Sequence, residues 1–176
     1  MQDEEMNQQL IIQWYDQYSM PLFKYIVKMI KDVQQAEDLT QDTFMKAYKY
    51  ISTKKEVTYP KTFLYRTAHN LTIDHIRKHA PIQMMKDFFT NKKDPGPSVE
   101  SIIEVREASK ELYTALLALK TSYRQVIILR KIEAFSIRET AHILNWSESK
   151  VKTTLFRGLQ ALENELDKGG VMNEIR

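Results

Sequence analysis

Cysteine is absent from the 176 residues, and glycine (4) and proline (5) are scarce. Without cysteine there can be no disulfide scaffold and no thiolate metal site, and the composition fits a reducing compartment. So few glycines leave no Gly-rich phosphate loop. Long apolar runs are missing too. The longest aliphatic stretch, Val126-Ile127-Ile128-Leu129, falls far short of the roughly 20 residues that span a bilayer. The first residues, Met1-Gln2-Asp3-Glu4-Glu5, are acidic where a signal peptide would be basic and then apolar. These absences predict a soluble cytoplasmic protein with no membrane insertion. No Ser/His/Asp set or paired-carboxylate motif stands out, so neither an enzyme nor a cofactor is expected.

Charge is present but hidden by the average. The net charge of +3 comes from 26 basic and 23 acidic residues. Residues 1–60 hold 7 basic and 9 acidic side chains, whereas 61–93 hold 7 and 2, with His69, His75 and His79 in addition. Residues 120–158 hold 8 and 3. Two basic stretches and an acidic N-terminal portion imply two contacts with a polyanion and a third surface of opposite sign.

The hydrophobic period is helical throughout, with no sustained alternation of period two. Ile11, Trp14, Tyr15 and Tyr18 share one face, and Leu22, Tyr25, Ile26 and Met29 repeat the spacing after Pro21. A helix from about Ala36 to Ile51 would turn Leu39, Phe44, Ala47, Tyr48 and Ile51 inward. Pro60 opens another, ending near His79, with Leu64, Ala68 and Leu71 on its stripe. Residues 80–100 contain three of the five prolines and one of the four glycines, the mark of a linker. Met84, Met85, Phe88 and Phe89 make it too apolar for a bare tether. Beyond it, Leu112, Leu116 and Leu119 share a face. Helices are expected at Tyr123–Lys131, Ile137–Leu144 and Ser149–Leu166, the last stopped by Gly169-Gly170. The expected fold is all-α: two small helical domains, 1–80 and 105–170, joined by a flexible linker, 81–104.

Residues 136–158 carry the signature of a helix-turn-helix. Ser136 and Glu139 have capping-box spacing, Ala141 is small where two helices cross, and Asn145 can take a left-handed turn. Trp146 fits a turn or core filler. The second helix would expose Ser149, Lys150, Lys152, Thr153, Phe156 and Arg157, side chains suited to phosphates, base edges and thymine methyls. An amphipathic helix pair with solvated cations has the same spacing.

In the N-terminal part, Asp38, Gln41 and Asp42 form an acidic ridge, equally compatible with helix-dipole stabilisation and with a protein-docking face. Thr67, Asn70, Asp74, Arg77 and Lys78 share a face that could hold nucleic acid, although Asp74 could simply pair with Arg77. Tyr59, Phe63 and Tyr65 are aromatics of the kind that stack on unpaired bases, and some of them must be core. His75 and His79, at i and i+4, lack the further ligands of a metal site, so no metal is expected.

The run Ala36-Glu-Asp-Leu-Thr-Gln-Asp-Thr-Phe44, then Phe63-Leu64-Tyr65-Arg66-Thr67-Ala68-His69-Asn70-Leu71 and Asp74-His-Ile-Arg77-Lys78, resembles the second conserved region of extracytoplasmic-function (group 4) sigma factors of the sigma-70 type. Tyr123 to Leu162 resembles their fourth region. The resemblance covers nearly the whole chain in family order. It implies a bacterial initiation factor that binds the RNA polymerase core and promoter DNA, and it carries the expectation of an anti-sigma partner. By position, Asp38, Gln41, Asp42 and Phe44 would dock on the core. Asn70, Asp74, Arg77, Lys78 and Phe63 would face the −10 element, with the Ser52–Tyr59 loop holding a flipped base. Ser149, Lys150, Lys152, Thr153, Phe156 and Arg157 would read the −35 element, with Arg130 on its backbone. Phe63 stands where the family often has Trp, and Asn145 where it often has Gly. Two other classes remain: a helix-turn-helix regulator with a sensing or dimerising N-terminal half, and an adaptor that binds protein only.

Overall fold

Helical periodicity decides the architecture, and among the described residues every regular element is a helix. A computed structural model of the chain describes residues 1–89 and 107–169. The chain divides into two units, Met1–Val99 and Glu100–Arg176; the described residues of each are taken by themselves.

The first unit packs three helices against one another, α1 (Gln2–Ile30), α2 (Val33–Ser52) and α3 (Pro60–Phe89). Asp3, Glu4 and Glu5 in the first turn of α1 match the positive end of the helix dipole. Lys31 ends α1 in the left-handed region (φ 59°), its N–H bonding to the Val27 carbonyl at 2.9 Å. Asp32 then caps α2, its carboxylate accepting from the Gln35 N–H at 3.0 Å. Pro60 takes the first position of α3, where its missing N–H costs nothing.

Trp14, Leu22, Tyr25, Ile26 and Met29 of α1 are buried against Ala36, Leu39, Phe44, Ala47 and Ile51 of α2 and Leu64, Tyr65 and Ala68 of α3. Of the apolar residues expected inward before Pro21, only Trp14 is buried; Tyr15 is exposed, and Ile11 and Tyr18 are half-buried. Threonines 40, 43 and 72 sit in this core because each hydroxyl donates to the carbonyl four residues back, at 2.7 Å.

α3 runs ten residues past its expected end at His79. Pro81 lies inside it, so the expected linker start at residue 81 falls within a helix. A proline in a helix removes one backbone bond, and the helix continues beyond it here. The linker residues 90–104 lie outside the described residues.

In the second unit, α4 (Glu107–Ala118), α5 (Thr121–Ile127), a single π turn (Ile128–Ile132), α6 (Ile137–Leu144) and α7 (Glu148–Lys168) follow one another. Leu116, Leu119, Val126, Ile128, Leu129, Ile143 and Val151 fill its core. α7 crosses α5 at Gly158, where an added Cβ would lie 3.3 Å from both the Ile127 Cδ1 and the Tyr123 Cβ. The helix expected at Tyr123–Lys131 is thus α-helical to Ile127 and then widens into the π turn, closed by the Glu133 N–H on the Ile128 carbonyl at 2.9 Å.

His69 is buried in the first core, its Nδ1 3.0 Å from the Tyr25 hydroxyl, and burial pushes its pKa down to about 4. An unfolded chain would protonate it near 6.5, so between those values the unfolded state binds more protons. Stability from this group is present above pH 6.5 and is lost as pH falls toward 4, by about 3 kcal/mol in all. Urea unfolding followed by Trp14 fluorescence, with Trp146 replaced by Phe, should show that decline. His69→Gln should flatten it; an equal decline in the variant would contradict the assignment.

Candidate polymerase and nucleic-acid interfaces

Packing three helices by their apolar stripes leaves each opposite face free, and the charged residues occupy those faces. On α2, Asp38, Gln41 and Asp42 are exposed along one ridge. Phe44 is not part of it. It is buried and meets the Tyr15 ring edge-on at 5.0 Å, so it supports the ridge from the core side. The ridge gains an unexpected member in Met45, 58% exposed. Met45 lies seven, four and three residues after Asp38, Gln41 and Asp42, so helical counting alone would have placed it there. An apolar side chain among acids is a better docking feature than acids alone.

On α3, Asn70, Arg77 and Lys78 are exposed and Asp74 half-buried. Arg77 Nη2 donates to Asp74 Oδ1 at 2.8 Å, an exposed pair that fixes the guanidinium at little energetic gain. The aromatics separate cleanly. Tyr65 is fully buried against Tyr25, whereas Tyr59 is 75% exposed at the end of the α2–α3 loop. Phe63 is half-buried between Trp14, at 6.3 Å, and Tyr50, at 4.9 Å. Lys55 of the loop lies over the Tyr50 ring, its Nζ 5.0 Å from the ring centre. Tyr50, 38% exposed, carried no motif and was not anticipated.

The histidines of the basic stretch also separate. His69 is a neutral core residue. His75 and His79 stack at 4.1 Å, and the His79 Nδ1 is 2.9 Å from the His75 carbonyl oxygen. Burial and the neighbouring His79 lower the His75 pKa, against a smaller opposing pull from Asp32. Among the described residues no three His, Cys, Asp or Glu side chains form a metal-binding group.

In the second unit the helix-turn-helix has the expected local chemistry. Ser136 Oγ accepts from the Glu139 N–H at 3.1 Å while Glu139 Oε2 accepts from the Ser136 N–H at 2.7 Å. Asn145 ends α6 in the left-handed region (φ 56°, ψ 45°), and the Trp146 N–H bonds back to the Ala141 carbonyl at 2.9 Å. Ser147 then caps α7, its Oγ accepting from the Lys150 N–H at 3.1 Å. Val151 is wholly buried beneath.

The six expected reading residues are all exposed: Ser149, Lys150, Lys152, Thr153, Phe156 and Arg157, with Phe156 at 65%. Lys150 Nζ lies 4.2 Å from the Trp146 ring centre, a cation–π contact that ties the start of α7 to the turn. Trp146 is half-buried, a turn filler as expected. Arg130 is the residue expected on the DNA backbone. It is half-buried in the π turn, and its Nη1 donates to the Phe135 carbonyl, bracing the segment that leads into α6. Ala134, between them, has φ 58°, a strained conformation for a residue with a Cβ.

No described helix is long and apolar enough to cross a membrane. The family models for sigma-70 region 2 and sigma-70 region 4 match residues 14–82 and 109–162. Three proteins of Bacillus subtilis (strain 168), each an ECF RNA polymerase sigma factor, are similar along most of the chain. SigX is 35% identical, over 87% of this chain and 81% of its own length. SigM is 32% identical (88% and 94%), and SigW is 32% identical (86% and 86%). Two solved structures share the fold. One is the sigma factor RpoE in complex with the anti-sigma factor NepR from Bartonella quintana, with a TM-score of 0.68 at 22% identity, over 93% of this chain and 98% of that one. The other is CnrH in complex with the cytosolic domain of CnrY, with a TM-score of 0.61 at 20% identity, over 95% and 94%.

Proposed function

We propose a division of labour among the surfaces of this chain, which belongs to the extracytoplasmic-function sigma factors of the sigma-70 family. It is an alternative sigma factor: it binds RNA polymerase core and directs initiation at promoters with −35 and −10 elements. The observation that supports the division is the separation of sign and chemistry onto different helix faces.

The α2 ridge of Asp38, Gln41 and Asp42, with Met45 among them, docks on the core enzyme, and Phe44 holds the ridge in place from below. Asn70, Asp74, Arg77 and Lys78 on α3 face the −10 element. Unstacking promoter bases costs a few kcal/mol, roughly, and capture of an extruded base at the 52–59 loop, where Tyr59 is exposed, offsets it. Phe63 backs that loop as part of an aromatic group. Ser149, Lys150, Lys152, Thr153, Phe156 and Arg157 enter the −35 major groove, with Arg130 toward its backbone. The chain performs no bond chemistry itself, and it acts in the cytoplasm, where polymerase and chromosome meet. An anti-sigma factor regulates it; RpoE, a protein of the same fold, was solved with one.

Run-off transcription with purified core on a genomic template pool tests the whole reading, and defined start sites that require this chain are expected. Asp38→Arg with Asp42→Arg should weaken core binding at least tenfold while the helical circular-dichroism signal stays unchanged; parent affinity would remove the docking assignment. Arg157→Ala should cost roughly 1–3 kcal/mol of discrimination among −35 variants. Equal initiation across those variants by parent and mutant would show Arg157 to be merely solvated.

A further inference from the structure

The turn of the helix-turn-helix carries an aromatic ring that a turn of this kind does not need for its backbone geometry. Asn145 supplies the left-handed residue, and the Trp146 N–H bonds to the Ala141 carbonyl at 2.9 Å. Ser147 then caps α7, its Oγ accepting from the Lys150 N–H at 3.1 Å. Trp146 and Lys150 thus belong to one hydrogen-bonded corner. Across it, the Lys150 Nζ lies 4.2 Å from the centre of the half-buried Trp146 ring. Among side-chain rings the indole face attracts an ammonium best.

The place of Lys150 on α7 decides what that ammonium can do. Val151 is wholly buried, and each residue turns the helix by roughly 100°. Ser149, Thr153 and Phe156 therefore occupy the centre of the exposed face, while Lys150 and Lys152 lie on its two flanks. In a major groove the centre of such a face meets base edges and its flanks meet the sugar–phosphate walls. A lysine suits phosphate, which it meets as a point charge. Glu148 in the first turn offsets the attraction of the bare helix end for an anion, so the cation has to come from a side chain. A free lysine loses much rotamer freedom when DNA fixes it. One already resting on Trp146 loses less, and Lys150 stays exposed to an outside acceptor.

We propose that Trp146 is a positioning residue for −35 binding: its ring holds Lys150 on the flank of α7 as a clamp for one DNA phosphate. The clamp fixes the register in which Ser149, Thr153 and Phe156 meet the bases. The proposal rests on the −35 assignment of the second unit. To that assignment it adds a role for the turn, and it makes Lys150 a backbone contact that carries no sequence information.

The test uses holoenzyme reconstituted with core polymerase and fluorescein-labelled duplexes bearing the −35 element of a start site mapped by run-off transcription, with single-base variants of it. Lys150→Met should weaken binding by the same factor on every duplex and reduce the salt slope by about 0.9. Trp146→Leu should weaken binding about two- to fivefold, again on every duplex, and Trp146→Tyr should retain most of the parent affinity. In the Lys150→Met background, Trp146→Leu should cost nothing further. An equal cost with and without Lys150 would show that the ring acts by packing alone, and the proposal would be overturned. A changed ranking of −35 sequences in Lys150→Met, or parent affinity in Trp146→Leu, would overturn it as well. If the parent holoenzyme does not prefer its −35 element to a scrambled one, the −35 assignment itself fails and the clamp with it.

Discussion

Helical geometry imposes the constraint on which every feature of this chain depends: residues three and four apart share a face, so burying one stripe leaves the opposite one in water. With about 43% of residues hydrophobic and two small cores to fill, little apolar surface is spare, and the exposed faces are left to charge. The α2 ridge is acidic because its other side holds Leu39, Ala47 and Ile51. The α3 face is basic because Leu64, Tyr65, Ala68 and the neutral His69 take the inside. In the second unit, Val151 and Gly158 lie inward on α7 so that Lys152, Thr153, Phe156 and Arg157 can lie outward. Function here is the complement of packing.

Precision comes from the ends of the helices. Ser136 fixes where α6 starts, Asn145 where it stops and Ser147 where α7 starts, and each satisfies backbone groups that would otherwise be orphaned. A reading helix shifted by one residue would rotate its exposed face by 100° and present a different set of side chains. In the first unit, left-handed residues at Lys31 and Lys54 do the corresponding work with Cβ-bearing residues in place of glycine. That is consistent with a chain so poor in glycine, and it concentrates strain at the two joints of the three-helix unit.

How much of this was legible follows from where side chains carry the signal. α6 begins and ends where expected because a capping box and a left-handed Asn mark its limits. The exposed set on α7 was legible in full, since one anchored residue, Val151, sets the phase of the rest. Phe44 carried two expectations, core and docking; it is buried because Leu39, Ala47 and Ile51 share its side of α2. The π turn at Ile128–Ile132, which directs Arg130 toward the Phe135 carbonyl, was not legible. No residue type announces a π turn. The end of α3 was missed because a proline was taken as a stop, although a helix can run through one. The Asp3–Lys54 ion pair joins residues fifty-one positions apart, which no local pattern encodes.

The central claim is that separate helix faces of the two units engage separate DNA elements, with melting confined to the element read by the first. Combined nuclease and permanganate footprinting of holoenzyme at one mapped promoter tests this most directly. The account predicts duplex protection at the −35 element, permanganate-reactive thymines at the −10 element, and loss of only the second signature when Asn70 and Arg77 are replaced by Ala. Loss of both signatures together, or an unchanged footprint, would contradict it.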